Sequence, residues 1–362
     1  MNRAVVVRAK RTPIGKLQGI WKDHSVEKLA APILAHIGRG IEDIDDVILG
    51  NVVGPGGNVA RLSALEAGLS YAVPGMTIDR QCGAGLEAIR IACHLIQGGA
   101  GTCYIAGGVE SVSTSLFEKR ARFSPEHIGD PDMGLAAEYV AKRYQITREM
   151  QDAYAHISYT RTLAALEKGY IQEEIVPVSH ITGDETIKQG INYERIIKRT
   201  RPAFMQEGTV TAGNSCGVND GACALLIMEE GQAKKLGYQP VLRFIDSAVA
   251  GVDPHFPGSG PIYAVRKLLQ KSKLTIEDID CIEMNEAFAS KIVACARELN
   301  ISYDKLNVNG GAIALGHPYG ASGAMLVTRL FYHVQRAQAK YVIATLGIGG
   351  GIGLALLFEK VE

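Results

Sequence analysis

The segment IEDIDDVILGN, which begins at Ile41, returns as IEDIDCIEMNE at Ile276, and this repeat constrains the chain more than any other feature. An offset of 235 residues aligns five identical residues and the apolar run after them. The same offset carries Cys82 onto His317, and the glycine-rich turn QCGAG (81–85) onto GHPYG (316–320). Self-similarity of this kind is the mark of one supersecondary unit used twice. Each turn leads into an apolar helical pattern, LEAIRIACHLIQGG in the first case and ASGAMLVTRLFYHVQ in the second. In the first, Leu86, Ile89, Cys93 and Ile96 share one helical face, and Gly98-Gly99 stops it. Strand patterns follow both helices, TCYIAGG (102–108) and KYVIATL (340–346). Strand, glycine turn, helix, strand, once near each end, specifies an α/β fold of two similar halves.

Between the halves, roughly from residue 116 to 217, the composition shifts. The spacing predicts a helix from Thr147 to Lys168, with Thr147 as N-cap, Glu149 and Asp152 in or near the first turn, and Gly169 past the end. The polar stretch GDETIKQGINYERIIKRTRPAF has little periodicity and reads as part of an inserted loop domain. The expected division is 1–117 with 218–239 for the N-terminal half, 118–217 for the insertion, and 240–362 for the C-terminal half.

Lys and Arg number 38 and Asp and Glu 38, so no basic field exists to recruit nucleic acid or an acidic membrane. No apolar run reaches the length of about 18 residues that a membrane span needs, and the opening MNRAVVVRAKRTPIGK lacks the apolar core of a signal peptide. Seven cysteines, an odd number without a C-x-x-C pair, argue against a disulfide framework or a cysteine zinc site. A reduced, cytoplasmic protein is the expectation. The 41 glycines, clustered at a few places, point to unusual backbone geometry there.

Four places carry chemistry. Cys82 follows MTIDRQ at the start of a helix, where the N-terminal dipole should favour a thiolate and lower the thiol pKa; a small buried hydrophobe is the plainer alternative. His317, fixed by Pro318 and set among glycines, stands at the equivalent turn. If the halves pack about a pseudo-two-fold axis, the two form a Cys–His pair for nucleophilic catalysis. GIGGGIG (347–353) follows a strand but leads into another strand-like run, LALLFEK. It is therefore a glycine hairpin able to form an oxyanion hole, not a dinucleotide fingerprint. Asn285 ends the strand CIEM, where open α/β sheets place their sites, though it could equally be the N-cap of the next helix.

Together these segments resemble the thiolases. The matching pieces are RAKRTPIGK (8–16), DRQCGAGLEAI (79–89), GGVESVS (107–113), RPAF (201–204), GTVTAGNSCGVNDGA (208–222), NEAFA (285–289), GGAIALGHPYGASG (310–323) and GIGGGIG (347–353). The resemblance implies a five-layered αβαβα core of two pseudo-symmetric halves plus a loop domain covering coenzyme A. It also implies an acyl-CoA substrate, no separate cofactor, a homo-oligomer and a place in lipid metabolism. By position, Cys82 is the nucleophile that becomes acylated. His317 activates it and, with a water held by Asn285, holds the thioester oxygen of a second acyl-CoA. The N–H groups of Cys82 and Gly349 form the hole for the acyl-enzyme oxygen. Cys216, Phe204, Met133 and Phe288 are the expected substrate-binding residues.

The sequence departs from the family where biosynthetic and degradative thiolases carry a second cysteine, the base for the α-carbon; here that residue is Gly347. In sterol-carrier-protein-type thiolases the cysteine moves into the NEAF motif, where this chain has Ala287. Cys216 replaces a serine near the pantetheine arm and is either a substitute base or a passive small residue. Asp132 replaces a histidine. The stretch between Ser115 and Met133 is short, which predicts a dimer with a more open pocket. The expected activity is acyl transfer through Cys82, forming or cleaving a β-ketoacyl-CoA, with condensation impaired. The alternatives are acyl-CoA hydrolysis or transfer to another acceptor, and a non-catalytic acyl-CoA-binding paralogue. Arg195, Lys198, Arg199 and Arg201 are candidates for the coenzyme A phosphates or for a solvated basic face.

Overall fold

The computed structural model describes residues 2–115 and 120–361; the expected boundary at 117/118 lies outside them. The first half runs β1 (Ala4–Arg11), β2 (Gly15–Lys16), α1 (Val26–Ile37), β3 (Asp46–Gly50), α2 (Val59–Glu66), β4 (Gly75–Ile78), α3 (Ala84–Gln97) and β5 (Cys103–Glu110). Four helices follow: α4 (Met133–Arg143), α5 (Arg148–Glu167), α6 (Tyr170–Glu174) and α7 (Tyr193–Arg199). Next come β6 (Asn219–Glu229), α8 (Glu230–Lys235), β7 (Leu242–Gly251), α9 (Gly260–Ser272) and β8 (Cys281–Met284). The chain ends with α10 (Ala289–Glu298), α11 (Ala312–Leu315), α12 (Tyr319–Arg336), β9 (Tyr341–Ile348) and β10 (Ile352–Lys360).

Nine strands are hydrogen-bonded in the order β4-β3-β5-β6-β1-β7-β10-β9-β8, and β2 pairs with β6. This order is two sheets joined at their edges. The N-terminal sheet ends at β1, the C-terminal one begins at β7, and Val5 pairs with Arg243 and Val6 with Leu242 across the join. β3 runs parallel to β5, and β8 to β9, as the repeat requires. Strands covered by helices on both faces bury every residue, which is why β5 and β8 are buried throughout.

Period-two alternation sorts the side chains into layers. Val5 and Val7 of β1 pack with α1 on the outer face, while Ala4, Val6 and Ala9 point to the central layer. In β9, Ile343 faces outward, toward the layer of α9 and α10, and Val342, Ala344 and Leu346 face inward. α3 and α12 fill the space between the sheets, giving five layers. α12 is buried nearly all round because both of its sides meet protein.

α3 and α12 approach so closely that only glycine fits at position 85 of one and position 323 of the other. A Cβ on Gly85 would stand 2.5 Å from the carbonyl oxygen of Gly320, and one on Gly323 would stand 2.4 Å from the backbone N of Leu86. Here glycine permits a close approach of backbones rather than a left-handed turn. That approach brings the Cys82 and His317 turns to the same end of the central layer.

The helix expected from Thr147 forms as α5, capped by Thr147 Oγ1 accepting from Met150 N at 3.3 Å, and Gly169 beyond it is left-handed at φ 76°. The glycine hairpin forms too, with Ile348 paired to Ile352 around Gly349–Gly351.

Candidate active site

Cys82 lies in a tight turn between β4 and α3. Gly83 N donates to Arg80 O at 3.0 Å and Ala84 N to Gln81 O at 2.8 Å. Gln81 is left-handed at φ 48°, a conformation costing a non-glycine residue on the order of 1 kcal/mol and often retained beside reactive groups. α3 begins at Ala84 with Gly83 as its N-cap, so Cys82 precedes the helix instead of opening it. This bears on its ionisation. The expected depression of the thiol pKa is not found; burial pushes Cys82 up to about 11, and the opposing pull of Lys291 and of the cysteine's own N–H does not offset it. Desolvation outweighs the dipole because the surrounding protein keeps most water away from the half-buried thiol.

His317 is 2% exposed and held from three directions. Its backbone N donates to Asn219 Oδ1 at 3.0 Å. Ser322 Oγ donates to Pro318 O at 2.8 Å and so accepts from His317 Nδ1–H at 2.6 Å. That leaves Nε2 as the ring's lone pair, facing Asn285 Nδ2 at 3.2 Å. Burial first, then the charge of Lys291, pushes the imidazole down to about 3. At neutral pH the pair is thus a thiol and a neutral imidazole, not a thiolate–imidazolium pair. Both ring nitrogens have partners, and no hydrogen bond joins the ring to Cys82.

Asn285 does not cap the following helix; the residue at that position is Phe288. Instead its backbone N donates to Thr345 O at 3.1 Å and its amide points to the imidazole. The adjacent Glu286 explains the rigidity of this strand end. Its carboxylate accepts from Tyr154 Oη at 2.7 Å, Ser158 Oγ at 2.6 Å, Asn307 Nδ2 at 3.0 Å and Ile313 N at 3.2 Å.

Cys82 and His317 line one cavity of about 330 Å³, together with Met133, Phe204, Cys216 and Phe288. Phe204 and Phe288 meet edge to face with centroids 6.1 Å apart, forming an apolar wall. Cys216 is fixed by its N donating to Ala287 O at 3.0 Å, and burial pushes its thiol up to about 12. A thiol this reluctant to ionise suits the passive role better than that of a base. Asp132 also borders the cavity, with Arg120 Nε 3.8 Å from its carboxylate. Asn285 sits behind the imidazole, outside this lining. Gly349 lines an adjoining cavity of about 470 Å³, and Gln81 and Phe123 border both. The end of β9 does reach the Cys82 turn, since a Cβ on Gly83 would stand 2.4 Å from Ile348 Cδ1.

Glu110, unmarked in the sequence except as a charge ending an apolar strand, clamps the two halves together. It accepts from Asn51 Nδ2, Val52 N and Val53 N on one side and from Gly320 N, three residues past His317, on the other. Of Arg195, Lys198, Arg199 and Arg201, the candidates for the coenzyme A phosphates, Lys198 is paired with Glu194 at 2.6 Å and none borders the cavity; the basic residue of the insertion that does is Arg120. Among the described residues no helix is long and apolar enough to cross a membrane.

A layered fold built from a doubled unit, with cysteine and histidine on equivalent turns, defines a class of acyl-transferring enzymes, and sequence comparison agrees. The family description "Thiolase, N-terminal domain" matches residues 4–231 and "Thiolase, C-terminal domain" residues 238–360. The chain therefore belongs to the thiolase family. It is 58% identical over 359 residues to the Bacillus subtilis (strain 168) protein named "Putative acetyl-CoA C-acetyltransferase YhfS", covering 98% of this chain and 99% of that protein. It is 49% identical over 385 residues to the Staphylococcus aureus (strain MSSA476) protein named "Putative acetyl-CoA C-acetyltransferase VraB", covering 99% and 100%. The crystal structure of the Bacillus anthracis acetyl-CoA acetyltransferase superposes with a TM-score of 0.93 at 38% identity, over 100% of this chain and 99% of that one.

Proposed function

We propose that this thiolase-family acyltransferase takes an acyl group from acyl-CoA onto Cys82 and passes it to a second substrate, acetyl-CoA being the first candidate for both. The observation that carries the reading is the shared cavity: a cysteine and a tautomer-fixed imidazole from equivalent turns border one space with an apolar wall. His317 Nε2 takes the thiol proton as Sγ attacks the thioester carbonyl, the C–S bond to coenzyme A breaks, and the imidazolium gives that proton to the departing thiolate. Because Cys82 starts as a thiol, the base is needed at the moment of attack. Mass spectrometry after mixing with acetyl-CoA tests this. An acetyl adduct on Cys82 that is absent in Cys82→Ala is expected, and no adduct, or one that persists in the variant, rejects the reading.

The second half-reaction is proposed to be slow or to use another base, because Gly347 has no side chain. A Cβ there would stand 2.5 Å from the carbonyl oxygen of Pro257, so a cysteine cannot be accommodated without moving that turn. Hydrolysis or transfer to another acceptor is the second reading that Gly347 favours; coenzyme A release unchanged by a second acyl-CoA would support it. A homodimer is proposed as well. β4 ends the sheet, and Leu62, Leu65 and Tyr71 stand exposed nearby. Sedimentation at the mass of two chains is expected, and a monomeric mass overturns it.

A further inference from the structure

Lys291, on the first turn of α10, is 3% exposed, and its Nζ is buried with no hydrogen-bond partner among the described residues. Other buried cations here are paired: Arg11 with Glu174 at 2.9 Å and Asp184 at 2.7 Å, Arg329 with Glu283 at 3.1 Å. A buried charge without a partner is costly, so the amine is pushed toward its neutral form, and burial indeed lowers its pKa. The titratable groups around it are Cys295, Cys82, Cys216 and Glu286, with His317 feeling its charge in turn. Two of these, Cys82 and Cys216, border the substrate cavity beside His317.

The position of Lys291 is linked to the missing side chain at Gly347. The turn whose Pro257 carbonyl fills the space of a Cβ at 347 continues into Gly258, where a Cβ would stand 3.2 Å from Lys291 Cβ. One short turn therefore both excludes a side chain at 347 and packs against the stem of an amine whose charge acts on the Cys82 thiol.

We propose that Lys291 is the base for the α-carbon of the second acyl-CoA, a further catalytic residue replacing the side chain absent at Gly347. This rests on acyl transfer through Cys82. The neutral Nζ takes the α-proton, and the C–H electron pair forms the new C–C bond to the acyl carbon. The C–S bond to Cys82 breaks with its electron pair on Sγ, and the proton on Nζ returns to that thiolate. In the cleaving direction the ammonium protonates the departing carbanion.

The test compares the wild type with Lys291→Met and Lys291→Gln, both of similar length and uncharged, by two readouts. One is acetylation of Cys82 by mass spectrometry. The other is deuterium entering C2 of acetyl-CoA in D2O, followed by NMR. The expected result is acetylation within tenfold of wild type and exchange reduced about 100-fold or more in both variants. Absence of exchange in the wild type, undiminished exchange in the variants, or a parallel loss of acetylation and exchange each overturns the proposal; the last would make Lys291 a support for the thiolate or the fold. A wild type that exchanges protons but never acetylates Cys82 would instead overturn the role of Cys82, since removing an α-proton from bound acetyl-CoA requires no adduct.

Discussion

The two turns that meet at the cavity occupy equivalent positions in the repeat, yet the molecule treats them in opposite ways. His317 is gripped by Asn219, Ser322 and Asn285 and is nearly sealed from solvent. Cys82 is half-buried, and its turn is held by backbone hydrogen bonds and one left-handed residue. In the proposed roles this contrast has a purpose: a base works only in one tautomer and one orientation, whereas a nucleophile has to reach its target, and Cys82 borders the cavity. One backbone scaffold serves both because the difference lies in the side chains surrounding each turn.

The contrast can be broken with pH. An unfolded histidine takes up a proton near 6.5, while folded His317 does so only near 3, so this group removes stability as pH falls between those values. Between pH 6.5 and 4 the loss is roughly 3 kcal/mol. Cys82 acts at the other end: its folded pKa lies above the ordinary 9.0, so its contribution is lost as pH rises past 9 toward about 11. Urea unfolding of wild type and His317→Asn at pH 6.5 and 4 should show a smaller acid loss in the variant. Equal losses would mean that the imidazole is not held neutral.

A sharper test removes the grip itself. Asn285→Ala should lower the acylation rate of Cys82 by about 100-fold, as loss of a preorganised polar contact at a reacting centre does. Ser322→Ala should lower it by about tenfold, since the ring keeps Asn285 but loses the acceptor that fixes its tautomer. Stopped-flow release of coenzyme A measures both, and the reverse order of effects would show that Ser322, not Asn285, governs the imidazole.

Much of the architecture was legible beforehand. The 235-residue offset located α3 and α12, the strands after them and the two reactive turns, because close packing of equivalent elements needs the same small residues in both copies. The hairpin at Gly349–Gly351 and the capped helix α5 were readable for local reasons, turn chemistry and capping. The direction of the Cys82 pKa was misread, since a dipole argument sees only the next turn of helix while desolvation depends on every layer above it. The partners of Glu110 come from segments about 60 and 210 residues away, and those of Glu286 from α5 and the segment before α12, so no local pattern could reveal them. Lys291 was overlooked for the same reason: in sequence it is an ordinary lysine on a helix.

By itself, the sequence determined the doubled α/β plan and the family, and it singled out Cys82 and His317 as the candidate sulfur and imidazole, because repeats, turns and motif spacing are properties of neighbouring residues along the chain. The tertiary structure alone decided protonation: which nitrogen of His317 carries the proton, that Cys82 rests as a thiol, and that the Lys291 amine has no hydrogen-bond partner among the described residues. Charge depends on how completely water is excluded and on which distant groups fill its place, and only the packed layers set either.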